Sequence, residues 1–213
     1  MLAAKTYVVT GTDTGVGKTK VACGLARAIL ELGFNTIEIK PIETGCTIRP
    51  SLDEDGVLLA QSTGQPRPRA ALLRYRAPLA PPAAADIEET QIDYEGMVSE
   101  LKSHLSPGIF GVIEGAGGLL SPLTWDRTIL DLALELNAEA VVVAADKLGT
   151  LNHTRLTIEV LRSAGVPVSC VVLSDVHADR RTRVTDPMWR TAPPEDQSVG
   201  TNLASLKLSL IHI

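Results

Sequence analysis

Gly11-Thr12-Asp13-Thr14-Gly15-Val16-Gly17-Lys18-Thr19 stands between a β-branched run, Thr6–Thr10, and a stretch from Gly17 to about Leu32 in which Val21, Leu25, Ala28 and Leu32 recur at helical spacing. A glycine-rich turn that leaves a strand and opens a helix is the setting a phosphate-binding loop needs. Glycines let backbone N–H groups approach phosphate oxygens closely, and the helix N-terminus adds positive potential. Lys18 is placed to bridge β- and γ-phosphates, and the Thr19 hydroxyl to ligate Mg²⁺. Five residues separate Gly11 from Gly17-Lys18-Thr19, against four in the common pattern, so the loop is a variant.

The alternation continues outward from this loop. Strands are expected at Thr36–Lys40, Ile109–Ile113, Ala140–Ala144 and Val168–Leu173. Helices are expected at Leu52–Thr63, Ile92–Leu105, Arg127–Asn137 and Asn152–Ala164. Gln65–Ala85, rich in Pro and Ala, reads as a long loop around a short helix. The continuous apolar strands suit a sheet buried on both faces. The reading is therefore an α/β fold: a doubly wound, mostly parallel sheet with helices on both faces, residues 1–213 forming a single domain. Ligands of such sheets bind at the carboxyl ends of the strands, where every motif below falls.

Composition narrows the function classes. The 213 residues are 45% hydrophobic, which excludes a disordered chain. A formal charge of -5 and 3% aromatics argue against nucleic-acid binding. No apolar stretch reaches the roughly 20 residues of a membrane span. The start, MLAAKTYVVTG, carries no apolar leader pattern, and Cys23, Cys46 and Cys170 are odd in number with no metal-ligand spacing. The expected compartment is the cytoplasm.

Four further motifs carry candidate chemistry. Lys40-Pro41-Ile42-Glu43-Thr44-Gly45 puts a cation at the end of the second strand, where it could neutralise a transferring phosphoryl group or simply face water. Glu114-Gly115-Ala116-Gly117-Gly118 puts a carboxylate at the end of a buried strand, the layout that holds Mg²⁺; a glycine turn with a solvated Glu is the plainer alternative. Asp53-Glu54-Asp55 could cap the following helix or supply a Mg²⁺ ligand. Asp146 to His153 opens a helix whose N–H groups could hold a carboxylate, or are merely capped.

GTDTGVGKT, KPIETG, EGAGG and KLGTLNHT together resemble the dethiobiotin synthetase family, in order and approximate spacing, from about Thr6 to Asp175. The resemblance implies a P-loop NTPase-like homodimer that uses MgATP to carboxylate and cyclise 7,8-diaminononanoate with CO₂, giving dethiobiotin, ADP and phosphate. It implies that Gly15, Val16, Gly17, Lys18, Thr19 and Lys20 bind ATP with Asp55, Glu114, Gly115, Ala116, Gly117 and Asp175. It makes Lys18 and Lys40 catalytic and sets Thr19, Asp55 and Glu114 around Mg²⁺. Thr44, where the family more often shows Ser, would contact substrate. Thr150, Leu151 and Asn152 would hold the substrate carboxylate across the dimer interface.

The C-terminal part departs from the family pattern. Ser174-Asp175 stands where the family shows Asn-Asp, and the loop that covers the base is not recognisable in residues 177–197, so looser base selectivity is expected. Residues 176–213 read as divergent. One rival is a MinD/ParA-like ATPase switch, but its early loop lysine would fall at Asp13. A cobyrinate-type amidase would need a glutaminase domain, and a non-catalytic binding module would not need lysines and Mg²⁺ ligands together.

Overall fold

The computed structural model describes residues 4–175. Its centre is a five-stranded, all-parallel sheet of β1 (Thr6–Gly11), β2 (Thr36–Ile39), β5 (Phe110–Gly118), β6 (Glu139–Ala145) and β7 (Val168–Ser174). The strand order is β2-β5-β1-β6-β7. The chain leaves β1 towards β2 and leaves β5 in the opposite direction, towards β6. Opposed crossovers of this kind open a crevice at the carboxyl ends.

Side-chain alternation along the strands builds two cores. Val141 and Val143 of β6 pack with Ala22, Ala26 and Ile29 of α1 (Lys18–Glu31) and Leu59 of α2 (Asp55–Thr63). Ala140 and Val142 face the other way, in a core with Met97, Val98 and Leu101 of α4 (Tyr94–His104), Leu132 of α5 (Ile129–Glu135) and Leu161 of α6 (Thr150–Ser163). The doubly wound α/β reading is borne out, with helices on both faces.

Several boundaries differ from the sequence expectation, each for a local reason. Helix α5 starts at Ile129 because Thr128 and Asp131 form a reciprocal capping box. Strand β5 runs through the glycines to Gly118, which pairs with Gly11 beyond a register shift. The stretch Gln65–Ala85 is more ordered than a loop. It contains β4 (Leu73–Tyr75), paired in parallel with β3 (Ile42–Thr44), and the start of α3 (Pro81–Ile87).

The edge strand β2 is tied down by a side chain. Glu38 N donates to Gln65 Oε1 at 2.9 Å, and Gln65 Nε2 donates to Glu38 O at 2.8 Å, so one amide replaces a neighbouring strand. The Glu38 side chain, between the inward-facing Ile37 and Ile39 of the other core, points towards α2. Its Oε2 accepts from the Ser62 hydroxyl, while Oε1 is buried without a hydrogen-bond partner among the described residues.

Burial, opposed by the Ser62 bond and reinforced by the charge of Glu114, pushes the Glu38 carboxyl from its ordinary 4.5 up to about 7. The folded state therefore holds this proton more tightly than the unfolded chain. The resulting stability is full below pH 4.5 and is lost as pH rises through about 7. Glu38→Gln is expected to flatten that slope, worth on the order of 3 kcal/mol. Chemical denaturation from pH 4.5 to 8 checks this. Parallel stability curves for the variant and the wild type would contradict it.

Candidate active site

The loop 11–19 crosses the carboxyl end of β1 and hands directly into α1. Gly17 caps α1 in the left-handed region, with φ at 93°, and a Cβ there would lie 2.7 Å from Ser174 Oγ. Only glycine meets both demands. The fold thus fixes Lys18 and Thr19 in the first turn of α1. Lys18 is buried and donates to the carbonyl of Asp13 at 3.1 Å. Burial, then repulsion from Lys40, lowers its pKa.

Lys40 just past β2, Glu114 midway along β5 and Asp55 at the start of α2 complete the group. Lys40 Nζ donates to Glu114 Oε1 at 2.6 Å and to Asp55 Oδ2 at 2.8 Å, with the Gly115 carbonyl at 3.5 Å. Burial works against its charge, but the carboxylates of Glu114 and Asp55 outweigh it and hold the Lys40 pKa at about 12. Thr19 Oγ1 donates to Asp55 Oδ1 at 2.8 Å, with Glu114 Oε1 at 3.1 Å. Burial of Asp55 raises its pKa, yet Lys40 and the Thr19 hydroxyl bring the net value below the ordinary one.

These residues line a cleft of about 960 Å³ with Gly15, Gly17, Lys20, Thr44, Ala116 and Gly117. Glu114 is 1% exposed, and its Oε2 has no hydrogen-bond partner among the described residues. Burial, only partly offset by Lys40, raises the Glu114 pKa, and a buried carboxyl oxygen without a partner calls for one. Thr19, Asp55 and Glu114 together offer only hard oxygen donors, the kind of set Mg²⁺ takes alongside phosphate and water.

Other sequence candidates lie elsewhere. Val16 packs into the α1–α2 core, and Gly115 contributes its carbonyl from beneath the cleft. Asp175 is exposed, next to the Ser174 hydroxyl that abuts Gly17. Thr150 is buried, its hydroxyl has no hydrogen-bond partner among the described residues, and its amide donates to Lys147 O at 3.2 Å. Of the helix start expected to hold a carboxylate, Leu151 and Asn152 remain towards the surface. Residues 177–197, in which no base-covering loop is recognisable from the sequence, lie outside the described residues.

Asp53-Glu54-Asp55 does not cap α2 through its own side chains. Glu54 is the N-cap residue and makes no side-chain capping bond. Glu43 of β3 does this work, accepting from Asp55 N and Gly56 N. Sequence reasoning gave Glu43 no role, and its only signal was a carboxylate inside the KPIETG motif.

Comparison with known proteins adds the family. The chain is 40% identical over 201 residues to the ATP-dependent dethiobiotin synthetase BioD of Anaeromyxobacter dehalogenans, covering 93% of this chain and 82% of that protein. The chain belongs to the dethiobiotin synthetase family. The BioD protein of Haloferax mediterranei, also a named dethiobiotin synthetase, is 37% identical over 181 residues, covering 85% and 76%. A family model described as an AAA domain matches residues 5–199. Among solved structures, a DUF1611 family protein from Anabaena variabilis superposes with a TM-score of 0.50 at 20% identity, over 85% of this chain and 48% of that one. That likeness concerns the fold alone. Among the described residues of this dethiobiotin synthetase family member, no helix is long and apolar enough to cross a membrane.

Proposed function

We propose that the chain is a ligase of biotin biosynthesis that carboxylates 7,8-diaminononanoate with CO₂ and closes the ureido ring with ATP, giving dethiobiotin, ADP and phosphate. The observation that carries the reading is the convergence of Lys18, Thr19, Lys40, Asp55 and Glu114 at the switch crevice, with no hydroxyl–histidine pair among the cleft's lining residues. A reaction that needs positioning and positive charge, rather than an enzyme nucleophile, suits such a site.

One amine of the substrate adds to CO₂ and loses a proton, forming a carbamate. A carbamate oxygen attacks the γ-phosphorus of ATP, and ADP leaves. The second amine attacks the carbonyl carbon of the mixed anhydride, phosphate leaves, and the amine proton passes to solvent. Lys40, held protonated, faces the carbamate and the transferring phosphoryl group. Lys18 faces the phosphates, with the amides of Gly15 to Thr19 around them. Lys20, Ala116, Gly117 and Asp175 belong to the nucleotide's surroundings, and Thr44 to the substrate's. Thr19, Asp55 and Glu114 would hold Mg²⁺, which when bound draws charge from the phosphate oxygens.

We further propose a cytoplasmic homodimer in which Leu151 and Asn152 serve the neighbouring site. A second cavity of about 630 Å³, lined by loop residues 11–14, residues 118–122 and α6, supports this, and the exposed Leu120 and Leu156 line it. Light scattering showing a fully active monomer would contradict it.

The test of function is ADP release with diaminononanoate and bicarbonate supplied singly, together and not at all. Release that needs both supports the synthetase. Release that responds instead to a protein or lipid partner supports an ATPase switch.

A further inference from the structure

Asp55 reaches Thr19 and Lys40 from the first residue of α2, where a helix has not yet satisfied its own amides. A carboxylate on an unfixed first turn would swing with it. Here the turn is fixed from outside. Glu43 Oε1 accepts from Asp55 N at 2.6 Å, and Oε2 accepts from Gly56 N at 2.9 Å. Both bonds are charge-assisted and lie at the positive end of the helix.

The two-stranded β3–β4 sheet holds the preceding residue as well. Arg74 of β4 donates Nε to Glu54 Oε2 at 2.9 Å and Nη2 to Glu54 Oε1 at 2.6 Å. On a third side, Gly56 lies against the 70–71 backbone, where a Cβ would fall 2.2 Å from Ala71 N. Strands β3 and β4 and residues 70–71 thus enclose one turn of helix, and Asp55 opens that turn.

We infer that Glu43 is a positioning residue, which holds the first turn of α2 so that the Asp55 carboxylate stays between Thr19 and Lys40. The inference rests on the proposed role of Asp55 as a Mg²⁺ ligand and assigns the residue that keeps it in place. Glu43 also lines the cleft, but both of its carboxylate oxygens are taken up by the Asp55 and Gly56 amides, and it acts through them.

The test is a mutant cycle of Glu43→Ala, Asp55→Asn and the double variant, with Glu43→Gln beside it. Mn²⁺ binding to each protein with a non-hydrolysable ATP analogue is read by electron paramagnetic resonance. Melting temperature reports folding. Glu43→Ala is expected to weaken Mn²⁺ binding about tenfold, the usual size for loss of an outer support. Glu43→Gln keeps one carbonyl acceptor and should lose about threefold. In the Asp55→Asn background, Glu43→Ala should add less than about twofold, because residues acting through one another are not additive.

If Asp55→Asn weakens binding while both Glu43 variants stay at the wild-type value, the inference is overturned and the Asp55 role survives. A Glu43 effect of equal size in both backgrounds also overturns it, since Glu43 would then act independently of Asp55. Unchanged binding in Asp55→Asn removes the ligand role and the inference with it. Should Glu43→Ala fail to fold, the same cycle built on Glu43→Gln decides.

Discussion

Lys18→Ala is expected to lower kcat/KM by at least about 1,000-fold while leaving a folded protein, because charge aimed at developing charge in a dry site is a large catalytic term. The two effects separate for a structural reason. Lys18 is 6% exposed, and the hydrogen bond it makes goes to a neutral carbonyl, that of Asp13. Its burial, and then the charge of Lys40, already work against the protonated state. Removing the ammonium therefore relieves a folding cost. Steady-state kinetics and a melting curve on the same preparation check both halves. Activity within about threefold of wild type would end the phosphate-contact role, since such contacts in phosphoryl transfer are worth far more.

Lys40→Met is expected to lose activity on the same scale and, unlike Lys18→Ala, to lose stability. Lys40 is 4% exposed and spans two carboxylates, one of them on the fully buried Glu114. Methionine keeps the stem and removes the charge, leaving Asp55 and Glu114 without their cation. Breaking a buried pair in this way costs about 3–5 kcal/mol. With Asp55 and Glu114 as proposed ligands, Mg²⁺ should then raise the melting temperature of the variant more than that of wild type, because it restores the missing counter-charge. Melting curves of both proteins, with chelator and with Mg²⁺, measure this. A variant as stable as wild type under chelator would contradict the account of the buried pair.

The parts of the site that the sequence made legible are those in which residue type and local setting coincide. Lys18 and Lys40 lie beyond strands whose apolar runs are visible, Glu114 directly follows the apolar run 109–113 within β5, and parallel topology brings these positions together whatever the loops do. Asp55 could be read as cap or ligand, because that choice depends on what else caps α2. The answer is Glu43, which belongs to β3, and β3 has three residues, too few for a period-2 pattern to stand out. Strand β4 escaped for the same reason, inside a segment whose prolines read as loop. Thr150 shows another limit. Its place at a helix start was legible, but not the burial of its side chain or the use of its amide by Lys147. Both are set by the αL turn at Gly149.

Whether ATP cleavage serves ring formation or a binding switch is decided with ¹³C-bicarbonate, diaminononanoate and MgATP, following the product by mass spectrometry while ADP is counted. The account predicts a cyclic product with a single labelled carbon, in the ureido group, formed in equal amount to ADP. ADP released at the same rate without diaminononanoate, with no labelled product, would contradict it.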